Sequence, residues 1–171
     1  MVSIRIMQAV GPQYVQDFVT RFGFDPERQP AVLPVALDAG SVTPYQLAGG
    51  YAVFANGGYK VDPYLIDYVT NSKGEVIRRA DPPKAGDMTA QAIDPRTAYV
   101  MNDLLRGVAK YGTGARASST LKRNDIAGKT GTTNDSHDAW FAGYTPDLVG
   151  IAWMGFDRPR SLGSGETGGG A

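Results

Sequence analysis

Apolar positions fall at helical spacing through the first 22 residues: Val2, Ile6, Ala9 and Val10 share one face, Gly11-Pro12 interrupts, and Tyr14, Val15, Phe18, Val19 and Phe22 repeat the pattern. Two short amphipathic helices are predicted. The first has no capping residue ahead of it, which fits a chain that has been cut. Residues 23–40, with three prolines and several turn formers, read as a loop. Thr43-Pro44 then makes a cap and first-turn pair, and Leu47, Tyr51 and Phe54 follow at helical spacing until Asn56-Gly57-Gly58 ends the run. Gly49 and Gly50 each cost that helix about 1 kcal/mol relative to Ala, so close packing is expected on them.

Tyr64–Thr70 and Glu75–Arg78, joined by Asn71-Ser72-Lys73-Gly74, read as a peripheral β-hairpin, and Pro82-Pro83 as a connector. Asp94-Pro95 opens the strongest helix, where Ala98, Met101, Leu104, Leu105 and Val108 form an apolar stripe that runs to Tyr111-Gly112 and reads as a core face. Gly112 to Asn124 is polar and is expected to be irregular. The period then changes. Ile126-Ala127 lead into a strand of small and polar residues, Gly128-Lys129-Thr130-Gly131-Thr132; Ala139–Tyr144 forms a second strand, Thr145-Pro146-Asp147 turns, and Val149, Ile151 and Trp153 alternate along a third. Consecutive strands with short links predict an antiparallel meander. Helices packed on its faces make the fold class α+β. The tail from Ser161 to Gly170 is glycine-rich and is expected to be flexible.

At 171 residues and 42% hydrophobic content the chain can bury one ordinary core, so a single domain or part of one is expected. Seventeen basic residues balance seventeen acidic ones with no basic block, which argues against nucleic acid as a partner. Cysteine is absent, excluding disulfides and thiolate metal sites. One histidine and scattered carboxylates give no support for a metal, and no cofactor is expected. Neither a signal peptide nor an apolar run long enough for a bilayer is present, so nothing in these residues anchors or exports the chain.

The chemistry gathers on the small-residue strand. Gly131 removes a side chain where another backbone can approach, while Lys129, Thr130 and Thr132 bring one ammonium and two hydroxyls close by, an edge suited to an anion. A nucleotide-binding phosphate loop is the distant alternative. It requires a glycine five residues before Gly128 and a helix after the threonine, but position 123 is Arg and Gly-Thr-Thr-Asn-Asp-Ser follows. The other reading is the Lys-Thr-Gly element that serine D,D-peptidases and β-lactamases use with a Ser-x-x-Lys nucleophile and a Ser-x-Asn partner. The triplet alone is weak evidence.

Its surroundings are specific. Lys129-Thr-Gly-Thr-Thr-Asn-Asp135, Asp138-Ala-Trp-Phe-Ala-Gly-Tyr-Thr-Pro146 and Val149-Gly-Ile-Ala-Trp-Met-Gly-Phe-Asp157 closely resemble the transpeptidase domain of the penicillin-binding proteins. The likeness extends through Ser41-Val-Thr-Pro-Tyr-Gln-Leu-Ala48, Tyr51-Ala-Val-Phe-Ala-Asn-Gly-Gly58 and Ser161-Leu-Gly-Ser-Gly-Glu-Thr-Gly-Gly169, and so spans essentially the whole chain. Within the family the chain is most similar to the bifunctional class A enzymes, which polymerise and crosslink peptidoglycan. The resemblance implies the serine D,D-peptidase and β-lactamase-like fold, crosslinking of peptidoglycan stem peptides through an acyl-serine, acylation by β-lactams, and a place at the periplasmic face of the bacterial inner membrane, held there by a segment absent here. It also implies roles: Lys129 completes the site electrostatically and attracts the substrate's terminal carboxylate, Thr130 and Thr132 hydrogen-bond that carboxylate, the Thr132 N–H is one oxyanion donor, and Gly131 lets substrate lie along the strand edge.

Two of the family's three elements are missing. No Ser-x-Asn occurs, and the single Ser-x-x-Lys match, Ser119-Thr-Leu-Lys122, lies in a polar stretch without an apolar helix to bury its lysine. A solvated lysine keeps a pKa of about 10.4 and is a poor base, so this match reads as chance. Ser136, His137 and Asp138 are adjacent on a turn and cannot meet head to tail as a serine triad requires. The expectation is that residues 1–171 are part of a transpeptidase domain lacking the Ser-x-x-Lys and Ser-x-Asn part and the terminal helix, and that the chain alone is inactive. A non-catalytic binding or scaffold derivative of the same fold is the alternative.

Overall fold

Caps and glycines set the boundaries of the elements in the computed structural model, which describes residues 2–37, 40–84, 86–163 and 165–170. Helix α1 (Val2–Val10) breaks at Gly11, whose φ of +94° a side chain would resist, and α2 (Pro12–Val19) starts on its proline and tightens into a 3-10 turn over Thr20–Phe22. The 23–40 stretch contains no α-helix or strand among its described residues, only 3-10 turns at Pro26–Arg28 and Leu33–Leu37; Asp38 and Ala39 lie outside the described residues. Helix α3 (Pro44–Ala55) begins with a full capping box, in which the Thr43 hydroxyl accepts from the Gln46 amide and the Gln46 side chain accepts from the Thr43 amide.

The hairpin is present, with strands β1 (Tyr68–Thr70) and β2 (Val76–Arg79) antiparallel, but its first strand is shorter than the alternation predicts. Asn71 closes the turn by accepting from the amides of Lys73 and Glu75. Helix α4 (Pro95–Tyr111) is capped by the Asp94 carboxylate, which accepts from the Arg96 amide. One expectation fails beyond it. Residues 115–121, read as irregular, form helix α5 (Ala115–Leu121), which packs on α4 and ends at Lys122 in the left-handed region at φ +52°. Alanine at 115 and 117 and arginine at 116 favour a helical turn even where no apolar period advertises one.

Strands β3 (Ala127–Thr132), β4 (Ala139–Tyr144) and β5 (Val149–Met154) form the expected antiparallel meander in the order β3-β4-β5, so β3 is an edge strand. The register pairs Ala127 with Tyr144, Lys129 with Ala142 and Gly131 with Trp140. Helix α3 packs on β4 and β5, and α4 packs on β3. One core cluster joins Leu105, Ala127 and Tyr144 with Tyr51, Phe54, Ala55 and Val149; the other joins Val53, Ala92, Ile93 and Ala98 with Phe18, Phe22 and Phe54. Both helical glycines are buried as expected, and a Cβ on Gly50 would lie 2.8 Å from the Phe24 ring. The α+β class is thus realised, with two corrections of face. In α4 the buried positions are Ala98, Leu105 and Ala109, while Leu104 is exposed because it lies off the side turned to β3. In α1 the stripe Val2, Ile6 and Val10 is exposed and Met7 is buried, since this helix packs against α2 and the Leu33–Leu37 turn rather than on the sheet.

Candidate functional site

The small residues of β3 leave its face low. A strand's side chains alternate, so Lys129 and Gly131 share the face of Ala127, Tyr144, Ala142 and Trp140, whereas Thr130 and Thr132 lie on the other, with Phe141 and Ala139 opposite them. The four candidate residues are therefore neighbours along one strand edge, with the ammonium on one side of the sheet and the hydroxyls on the other. Lys129 is exposed, and its Nζ donates to the Thr130 carbonyl at 2.6 Å. Gly131 faces Trp140, and a Cβ there would lie 3.3 Å from the tryptophan Cβ.

Thr130 is only 8% exposed, and its Oγ1 lies 2.6 Å from Oγ1 of Thr113. Thr132 is exposed, and its hydroxyl oxygen accepts from the Gly168 amide at 3.0 Å. That second contact corrects the reading of the tail as flexible. Gly168 is buried, and its backbone comes so close to β3 that a Cβ would collide with the carbonyl oxygens of Gly131 and Trp140. The backbone that approaches Gly131 in this structure is the chain's own. Glycine at 168 is what allows it.

Thr113 is brought to this edge by the end of α4. The amides of Gly112 and Gly114 both donate to the Val108 carbonyl, at 3.0 and 3.2 Å, and Gly114 is buried beside the Phe141 ring. The sequence alone assigns no site role to Thr113 or to Gly168, although Gly168 lies in the Ser161–Gly169 stretch that carries the family likeness. The only local signal for Thr113 is Gly-Thr-Gly directly after the strongest helix; for Gly168 it is a glycine run, which composition alone reads as slack.

The other motifs separate from this edge. Ser119 donates to the Arg116 carbonyl at 2.9 Å, and Lys122 is past the helix end in a left-handed cap, so the two are not stacked on one helix face; both are exposed. Asp135 and Ser136 sit in left-handed conformations at φ +58° and +53°, and the Asp138 carboxylate accepts from Trp153 Nε1 at 2.9 Å. No hydrogen bond links the side chains of Ser136, His137 and Asp138 among the described residues. Gly128-Lys129-Thr130 lies inside β3 and is followed by a 3-10 turn over Asn134–Ser136, so the backbone curl and following helix of a phosphate loop are not formed. Among the described residues no group of histidines and carboxylates is placed to hold a metal ion, and no helix is long and apolar enough to cross a membrane.

Comparison with known proteins bears on the whole of this architecture. Residues 1–155 match the family model described as the penicillin binding protein transpeptidase domain. Penicillin-binding protein 1A of Neisseria flavescens is 51% identical over 99% of this chain and 21% of its own length. The crystal structure of penicillin-binding protein 1A from Haemophilus influenzae superposes with a TM-score of 0.88 at 32% identity, covering 98% of this chain and 30% of that one. The D,D-transpeptidase domain of a peptidoglycan glycosyltransferase from Eggerthella lenta gives a TM-score of 0.72 at 26% identity over 91% of this chain and 46% of that one. The chain spans about a fifth of the length of the curated relatives it matches.

Proposed function

This chain belongs to the penicillin-binding protein transpeptidase family, and from that premise we propose that it is the Lys-Thr-Gly wall of a peptidoglycan D,D-transpeptidase, a part of the domain whose nucleophile and base lie in residues outside these 171. The observation that carries the reading is β3 itself. It is a strand at the sheet's edge, made mostly of small residues, with the exposed Lys129 on one side and the exposed Thr132 hydroxyl on the other. An extended peptide or a β-lactam amide can lie along such an edge as an added strand, taking backbone hydrogen bonds for affinity.

In this reading Lys129 supplies the positive charge that draws in the terminal carboxylate of the stem peptide, or the carboxylate of a β-lactam, and completes the site beside the Ser-x-Asn serine. Thr132 offers its hydroxyl to that carboxylate. Its oxygen is already occupied as an acceptor of the Gly168 amide, which orients the hydroxyl and leaves its proton to donate. The Thr132 N–H serves as one oxyanion donor, and such a donor is worth roughly 100- to 1000-fold in rate. Thr130 stands behind the rim with its hydroxyl bonded to that of Thr113, and Gly131 keeps the rim low. Donors held this way are ready before charge develops at the scissile carbonyl, which is how a wall without a nucleophile still lowers the barrier. The working enzyme is placed at the periplasmic face of the inner membrane, attached by a segment outside these residues, with no cofactor and no metal in the acyl transfer.

Fluorescent penicillin tests the proposal. A longer polypeptide of the same protein that includes the Ser-x-x-Lys and Ser-x-Asn elements is expected to be labelled covalently, on a serine outside residues 1–171, and the 171-residue chain is expected to remain unlabelled. Absence of label on the longer polypeptide would overturn the transpeptidase reading. Label mapped by mass spectrometry to Ser119, or to any serine of these residues, would overturn the assignment of the nucleophile to another part.

A further inference from the structure

Thr130 presents a difficulty as a carboxylate ligand. Its hydroxyl is buried and committed to Thr113, so an anion arriving at the rim does not meet it directly. Thr113 is the exposed member of the pair. Resting on the function proposed above, we infer that Thr113 is a carboxylate-binding residue of the site and that Thr130 acts through it.

Two hydroxyls 2.6 Å apart share one hydrogen bond, and either can be the donor. The direction decides what the rim offers. If Thr113 donates inward, its proton is spent and the rim presents only an oxygen, which repels a carboxylate. If Thr130 donates outward to Thr113 Oγ1, the Thr113 proton is released to bond the anion. A carboxylate at the rim favours the second arrangement, because its charge strengthens the bond it accepts and polarises the one behind it. The buried hydroxyl therefore serves as the fixed end of a short relay that keeps the outer hydroxyl a donor toward anions.

The backbone is built to hold Thr113 there. Both flanking amides are tied to the Val108 carbonyl at the end of α4, and the buried Gly114 seats the turn beside Phe141. On the same face, two residues along β3, Thr132 is oriented by Gly168. Thr113 and Thr132 are thus two exposed hydroxyls, each backed by a partner that fixes its role, on the side of β3 away from the Lys129 side chain. Neither partner is read from the Lys-Thr-Gly triplet alone.

The test compares acylation of the longer polypeptide by benzylpenicillin, which carries a carboxylate, with acylation by its methyl ester, which does not. Thr113→Val is expected to lower the second-order rate with benzylpenicillin about tenfold, the effect of one hydrogen bond to a charged group, and to leave the ester rate unchanged. Thr113→Ser is expected to restore the benzylpenicillin rate to within about threefold of the parent, since it keeps the donor. If the valine variant misfolds, Thr113→Cys, a weaker donor of similar size, carries the same comparison with a smaller expected loss. Equal losses on both compounds, or no loss on either, would overturn the inference while leaving the transpeptidase reading intact. A parent polypeptide that benzylpenicillin does not acylate at all would overturn that reading and the inference with it.

Discussion

Tyr144 carries its phenol into the core between Leu105, Ala127 and Tyr51, and its oxygen has no hydrogen-bond partner among the described residues. Burial, with a smaller contribution from Tyr51, pushes its pKa up to about 12. A buried hydroxyl without a partner keeps its desolvation cost and gains nothing in return. Tyr144→Phe is therefore expected to be neutral or to stabilise the fold by about 1 kcal/mol, read as an unchanged or higher urea midpoint. The sign with pH follows from the raised value: above about pH 10 the unfolded phenol ionises while the folded one stays neutral until about 12, so stability falls across that window. The phenylalanine variant loses that alkaline decline. A clear loss of stability near neutral pH would show that the oxygen has a partner after all. At this scale the sequence was legible where a residue's role is intrinsic: Thr43 as a cap and Gly49-Gly50 as a close-packing site follow from residue type. Thr113 and Gly168 were illegible because their roles depend on which strand lies opposite them.

Elements were read well where caps and periods agree. Helix α4 begins at Asp94, whose carboxylate caps the Arg96 amide and grips the Arg96 guanidinium at 2.9 and 3.0 Å. The Arg96 side-chain hydrogen bond, followed by the backbone one, lowers the Asp94 pKa to about 2. A carboxyl held below its unfolded value contributes stability above that value and loses it on acidification, here between about pH 3.8 and about 2. Asp94→Asn keeps a capping oxygen and removes the ionisation. Its melting temperature is expected to fall below that of the parent near neutral pH and to converge with it as the pH drops through that window; a gap that stays constant with pH would contradict the assignment. Helix α5 escaped because Ala-Arg-Ala-Ser-Ser-Thr-Leu carries no apolar period, and it is fixed by packing on α4 and by the left-handed Lys122 at its end. The outward stripe of α1 shows the converse: periodicity gives an amphipathic helix but not which neighbour it meets.

In the whole molecule the candidate site is a convergence of four segments: the end of α4, the β3 rim, Trp140 and Phe141 of β4, and the tail at Gly168. β3 announces itself in sequence through a triplet whose specificity comes from the residues on either side; Trp140, Phe141 and Gly168 lie in stretches that share the family likeness, but their contacts are not readable there. The family was legible because that similarity runs through most of the chain. The closure of the rim was not, since it joins positions 113, 130, 132 and 168 across long stretches of chain. Two lysines offer themselves for the chemistry, and the structure separates them: Lys129 projects from the edge strand, whereas Lys122 is exposed at a helix end beside a serine bonded elsewhere. The most direct measurement is the penicillin acylation rate of the longer polypeptide with Lys129→Ala and, separately, with Lys122→Ala. Lys129→Ala is expected to lose about 100-fold or more, the scale of one preorganised electrostatic contact, and Lys122→Ala to stay within about threefold of the parent. An unchanged rate in Lys129→Ala, or abolition in Lys122→Ala, would contradict the placement of the site on the β3 edge.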